Sequence, residues 1–106
     1  MRTEITATEL RARLERREPI VLLDVREGWE TALARLENAV HIPIEEIEMR
    51  VDELDPREET VVYCHHGIRS AAVADYLRQL GFAKVANLEG GLDEWARTAA
   101  PSMRRY

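Results

Sequence analysis

Cys64 is the only cysteine in a chain of 106 residues, and it falls between an apolar run and a glycine-containing segment. The stretch Thr60–Ser70 reads as a buried strand that stops at the cysteine, a short loop, and a helix that opens at Arg69 or Ser70. A strand–loop–helix turn of this kind aims several backbone N–H groups at one point. A thiolate held there is favoured by those groups and by the positive end of the helix dipole. Four residues, His65, His66, Gly67 and Ile68, separate the cysteine from Arg69. Lone cysteines are often inert core residues. This position instead predicts a reactive, partly exposed thiol in a loop closed by a fixed positive charge.

Each neighbour has a chemical and a structural reading. Arg69 at a helix start is electrostatically misplaced unless an anion occupies the loop. Its planar fork suits sulfonate, phosphate or carboxylate oxygens. Gly67 supplies a backbone angle that other residues resist. Ser70 reads first as the helix cap and second as a hydrogen-bond donor to the sulfur. His65 and His66 would line the mouth of the pocket, where a protonated imidazole favours the thiolate. With Cys64 and His41 they also invite a metal site. Adjacent residues in a tight loop rarely converge on one ion, and no spacing here matches a zinc pattern, so no metal is expected. A Cys–His dyad lacks a third member.

The elements that must position this loop are legible as an alternation of strands and helices. Ile5 opens an edge strand. Thr6 and Glu9 have capping-box spacing ahead of Leu10 and Leu14. Ile20–Asp24 is an apolar run of strand length, as expected for a parallel strand buried on both faces. Residues 27–36 form a short helix carrying Trp29, Leu33 and Leu36. Residues 38–42 form a second short strand, stopped by Pro43. Ile44, Ile47, Val51 and Leu54 mark an amphipathic helix over 44–54. Residues 60–63 are the central strand, 70–80 a helix stopped by Gly81, 84–88 a strand, and 92–97 a last helix with Trp95. The tail after Pro101 is expected to be loose. The pattern predicts an α/β fold with a mainly parallel sheet of four to five strands and helices on both faces. Ligands bind beyond the C-terminal strand ends of such sheets. Asp24–Arg26, Cys64–Arg69 and Glu89–Gly91 should therefore meet on one edge.

The length fits one domain, residues 1–106 with a core over about 5–98. A net charge of −5 argues against general nucleic-acid binding. One cysteine excludes an internal disulfide and a CxxC pair, so a reducing compartment is the simplest setting. The first residues lack the apolar stretch of a signal peptide, and no run reaches membrane-spanning length. A cytoplasmic protein with no membrane partner is expected.

Taken together, these residues resemble the single-domain rhodaneses, a sulfurtransferase family. The matching pieces are Leu23-Asp-Val-Arg26 with Glu30, Ala39-Val-His-Ile-Pro43, and Val61-Val-Tyr-Cys-His-His-Gly-Ile-Arg-Ser70. They continue with Leu80-Gly-Phe82 and Val85-Ala-Asn-Leu-Glu-Gly-Gly91 with Trp95. The resemblance implies a rhodanese-like parallel sheet and a Cys64 that takes sulfur from a donor such as thiosulfate as a persulfide. It would pass that sulfur to a thiol, cyanide or a sulfur-carrier protein, with no cofactor. His65, His66, Gly67, Ile68, Arg69 and Ser70 would form the substrate loop, and Asp24 and Arg26 a structural ion pair or loop brace. Residues 34–39 depart from the family's Gly-His-Ile-Pro-Gly-Ala pattern. Two other readings stand beside this one. A phosphatase or arsenate reductase would use a similar loop with one more residue between Cys and Arg. A non-catalytic interaction module would usually lack the cysteine.

Overall fold

A computed structural model describes residues 3–100 and 103 of the chain. The loose tail expected after Pro101 therefore lies outside the described residues, Met103 apart. Five strands are present: Glu4–Ile5 (β1), Ile20–Asp24 (β2), Val40–His41 (β3), Glu59–Tyr63 (β4) and Val85–Leu88 (β5). They form one sheet in the order β1-β5-β4-β2-β3, and every pairing is parallel. The helices are Ala7–Glu15 (α1), Gly28–Leu33 (α2), Ile47–Arg50 (α3), Ile68–Gln79 (α4) and Gly91–Thr98 (α5).

The unbroken apolar runs in β2 and β4 are explained by cover on both faces. Leu22, Val61 and Tyr63 enter one core with Leu10 of α1 and Leu92 and Trp95 of α5. Their sequence neighbours Leu23, Val62 and Cys64 enter a second core with Ile47 of α3 and Val73 and Leu77 of α4. The period-two alternation of a strand sends adjacent residues to opposite faces, so each needs an apolar side chain. Each fully buried Leu or Val contributes about 2 kcal/mol relative to exposure. The α/β class, the five parallel strands and the helices on both faces are those expected.

Local chemistry sets the element ends. Thr6 Oγ1 accepts from the Glu9 N–H at 3.1 Å, and the Glu9 carboxylate accepts from the Thr6 N–H at 3.2 Å. This is the capping box expected for α1. Helix α2 is shorter than the expected 27–36. Ala34 is extended, and its carbonyl is held by the Arg26 guanidinium at 2.6 Å, which turns the chain out of the helix. Leu36 is buried beyond that break, whereas Trp29 is 63% exposed.

The segment 44–54 is not one helix. It is a 3₁₀ turn at Ile44–Glu46, then α3, then a second 3₁₀ turn at Val51–Glu53. Its apolar residues stand three, four and three apart. A 3₁₀ turn eclipses positions three apart, so the winding tightens where the spacing is three and relaxes where it is four. All four apolar residues thereby face the core beneath α4.

Because the sheet is parallel, the C-terminal ends of β2, β4 and β5 share one edge. Three segments leave there: Asp24–Arg26, the cysteine loop and Glu89–Gly91. Hydrogen bonds join them. The Val25 N–H donates to the Tyr63 carbonyl at 3.2 Å, and the Leu92 N–H donates to the Cys64 carbonyl at 2.8 Å.

Candidate active site

Cys64 directly follows β4, the strand between β5 and β2. Its side chain is 1% exposed, not partly exposed as expected. The loop closes over the sulfur because it folds back at once into α4. Sγ accepts from the Gly67 N–H at 3.1 Å, the Ser70 N–H at 3.4 Å and lies 3.3 Å from the Ser70 hydroxyl. The backbone donors are the free N–H groups of a helix start, where the helix dipole favours negative charge.

The cap is Gly67, not Ser70. Gly67 adopts φ +96°, and its carbonyl accepts from the Ala71 N–H at 3.2 Å, so the helix begins at Ile68. The left-handed angle turns the chain three residues earlier than a cap at Ser70 would. A Cβ at this position would also stand 3.3 Å from the Leu88 carbonyl oxygen. Ser70 is released for the sulfur. Its hydroxyl also bonds Asn87 Oδ1, and all three residues are buried. Asn87 Nδ2 donates to the Gly67 carbonyl at 3.1 Å and to the Glu4 carboxylate at 3.2 Å.

The start of α5 docks on the same loop. The Leu92 N–H takes the Cys64 carbonyl, and the Asp93 N–H takes the His65 carbonyl at 3.0 Å. Gly91, at φ +64°, makes this approach possible: a Cβ there would lie 2.6 Å from the Cys64 carbonyl oxygen and closer still to His65. Gly91 is thus a steric requirement of the cysteine loop, and Trp95 fixes the helix from the other side by burial in the core.

Arg69 does not point its fork into an empty pocket. It grips Glu30 of α2 at two points, 2.7 and 2.9 Å, and Glu30 is buried. Asp24 and Arg26 form a second, fully buried pair. Arg26 Nε meets Oδ1 at 2.9 Å and Nη2 meets Oδ2 at 2.7 Å. The same guanidinium holds the Ala34 carbonyl and sits 5.5 Å from the centre of the Tyr63 ring. Tyr63 in turn accepts from the Leu36 N–H at 3.2 Å through its hydroxyl, so residues 34–36 are braced without the glycines and proline of the family pattern. Burial, then the negative charge of Asp24, pushes the Tyr63 hydroxyl far above its usual range, keeping it neutral. His41 Nε2 bonds the Arg26 carbonyl at 2.7 Å, away from the cysteine.

His65 and His66 stack at the loop, with ring centres 4.0 Å apart and planes within 20°. Burial, and then the neighbouring His66, holds His65 below its usual range. Its surroundings therefore disfavour the charged imidazole. His65, His66 and Asp93 present donor atoms within 4.8 Å of one another. Imidazole ligands bind in their ring planes, and two rings stacked face to face are poorly arranged to share one ion. Ile68 projects outward at the mouth, 81% exposed.

The sequence points to the loop residues and to Gly91, but not to Asn87, Asp93 or Glu4 as parts of the site. Asn87 reads there as a polar position inside an apolar strand, which is a signal for a buried hydrogen-bonding role. Glu4 carries no comparable mark.

The site can be set beside known proteins. The model of the Rhodanese-like domain family matches residues 6–98. A protein named sulfurtransferase from Allochromatium vinosum is 36% identical over 95% of this chain and 94% of its own length. The thiosulfate sulfurtransferase GlpE of Actinobacillus pleuropneumoniae serotype 7 is 34% identical over 84% of this chain and 82% of its own. The crystal structure of a rhodanese-like domain protein from Staphylococcus aureus superimposes with a TM-score of 0.85 at 30% identity, covering 99% of both chains. With a family match over nearly its whole length and these relatives, the chain belongs to the rhodanese-like domain family.

Proposed function

We propose that this chain acts as one rhodanese-like unit, a sulfurtransferase that carries a sulfane sulfur on Cys64. The observation that carries the reading is the pair of backbone donors on the sulfur: the Gly67 and Ser70 N–H groups, both within 3.4 Å of Sγ. Such a pair favours a negative sulfur and also the outer sulfur of a persulfide. The thiolate attacks the outer sulfur of thiosulfate or a persulfide donor. A new S–S bond forms as the donor's S–S bond breaks, and sulfite or a thiolate departs with the bonding electrons. An acceptor nucleophile of the thiol, cyanide or sulfur-carrier class then attacks the outer sulfur and restores Cys64. Relatives named sulfurtransferase and thiosulfate sulfurtransferase support this reading. No bound cofactor enters these steps.

Two features favour sulfur over phosphate as the target. Only four residues separate Cys64 from Arg69, a tight loop for a tetrahedral oxyanion. The Arg69 fork is already engaged by Glu30. The intact cysteine weighs against a purely non-catalytic module. The lone thiol suits a reducing compartment such as the cytoplasm. Among the described residues no helix is long and apolar enough to cross a membrane. Turnover of thiosulfate with cyanide or a small thiol, followed by sulfite release, tests the function. Wild-type turnover lost in Cys64→Ala is expected. Robust hydrolysis of an aryl phosphate without sulfite release would replace the reading with a phosphatase.

A further inference from the structure

The Ser70 hydroxyl stands between two acceptors and has one proton to give. Sγ of Cys64 lies 3.3 Å away on one side, and Asn87 Oδ1 lies in closer contact on the other. The orientation of the Asn87 amide decides which acceptor is served. Its neighbours on the far side are the Glu4 carboxylate and the Gly67 carbonyl, both acceptors, at 3.2 and 3.1 Å. They select the NH₂ group and turn Oδ1 toward Ser70. Reversing the amide would set its oxygen against the exposed Glu4 carboxylate and the buried Gly67 carbonyl, with no proton between them.

We propose that Asn87 is a positioning residue that keeps the Ser70 proton off the sulfur and so holds Cys64 in its thiol form until the reaction begins. With its proton on Asn87, Ser70 turns a lone pair to Cys64 and accepts the thiol S–H. Ionisation sends the thiol proton to a solvent base. It leaves the thiolate facing an oxygen lone pair unless the hydroxyl swings round and gives up Asn87. The two backbone N–H groups favour the thiolate; the Glu4–Asn87–Ser70 chain opposes them. Removing Asn87 therefore makes the thiol more acidic, although it removes hydrogen bonds from the site.

This inference rests on Cys64 being the reacting group. A spectroscopic titration tests it without requiring sulfur transfer, so failure of the inference and failure of the sulfurtransferase reading are separately visible. The chain has one cysteine, so the ultraviolet thiolate signal, taken as a difference against Cys64→Ser, is unambiguous. Wild type, Asn87→Ala, Ser70→Ala and the double variant are titrated. Glu4, the Asp24–Arg26 and Glu30–Arg69 pairs, His65, His66 and Asp93 surround the loop and are the same in all four proteins. Asn87→Ala is expected to lower the midpoint by about one unit. In the Ser70→Ala background the same substitution is expected to do nothing. A midpoint that stays or rises in Asn87→Ala, or falls equally without Ser70, would overturn the proposal. The infrared S–H stretch gives a second test that needs no Asn87 variant. It should be shifted down in wild type, as for a donating thiol, and return to the free-thiol position in Ser70→Ala. A free-thiol band in wild type would likewise overturn it.

Discussion

Arg69 and Glu30 are joined by two parallel hydrogen bonds, 2.7 and 2.9 Å long, that tie the start of α4 to α2 across the mouth of the cysteine loop. Glu30 is buried and also accepts from the Glu27 N–H at 3.0 Å, while the Arg69 side chain is 35% exposed. The pair ties the loop to α2 and sets a carboxylate against the Arg69 charge.

Removing the arginine strands a buried carboxylate. Arg69→Ala is expected to lower stability by about 1–3 kcal/mol, less than for a wholly buried pair because water reaches the guanidinium. Glu30→Gln keeps the shape and releases the positive charge, so the KM for thiosulfate should fall while stability drops modestly. Denaturant midpoints and steady-state kinetics on both variants check this; an unchanged KM in Glu30→Gln would mean that Arg69 has no field at the donor site.

Gly91 is the position where one methyl group should do most damage. Its Cβ would meet backbone at Cys64 and His65, which cannot swing aside, and φ is +64°. Gly91→Ala is expected to cost about 2–4 kcal/mol and to lower sulfur transfer even in the protein that remains folded. Gly28→Ala is the control, since nothing lies within 4 Å of its added Cβ. Thermal midpoints and activity per folded molecule separate the two outcomes.

Stability should fall in two steps as pH is lowered. Folded His65 resists protonation, so the unfolded chain takes up that proton first once pH drops below about 6.5, the ordinary value. Stability is therefore fully present above that pH and declines beneath it. Glu59 is held below its ordinary 4.5 by its hydrogen bonds to Arg13, against the opposing effect of burial. Its contribution is complete above 4.5 and is lost as pH falls through the folded value. Urea midpoints across this range should show both declines. His65→Gln should remove the first and Arg13→Ala the second.

The sheet and the loop were readable because their signals are local. Apolar runs of strand length, a cysteine at a strand end and a glycine three residues later need no knowledge of the rest of the chain. The partners were not readable. Arg69 meets Glu30 across 39 positions, and Asn87 meets Glu4 across 83. Only closure of the parallel sheet brings those ends together. The expected exposure of Cys64 failed for a local reason: the loop folds straight back into α4, and the side chain enters the core beneath that helix. At residues 34–36, where the family's glycine and proline pattern is absent, Arg26 and Tyr63 hold the backbone from the side.

The most direct measurement is the intact mass of the protein after incubation with excess thiosulfate, with Cys64→Ala beside it. A gain of one sulfur atom in the wild type, removed by a reducing thiol and absent from the variant, is the predicted result. No gain with thiosulfate or with a small persulfide donor, while Cys64 remains open to alkylation, would contradict the sulfurtransferase account.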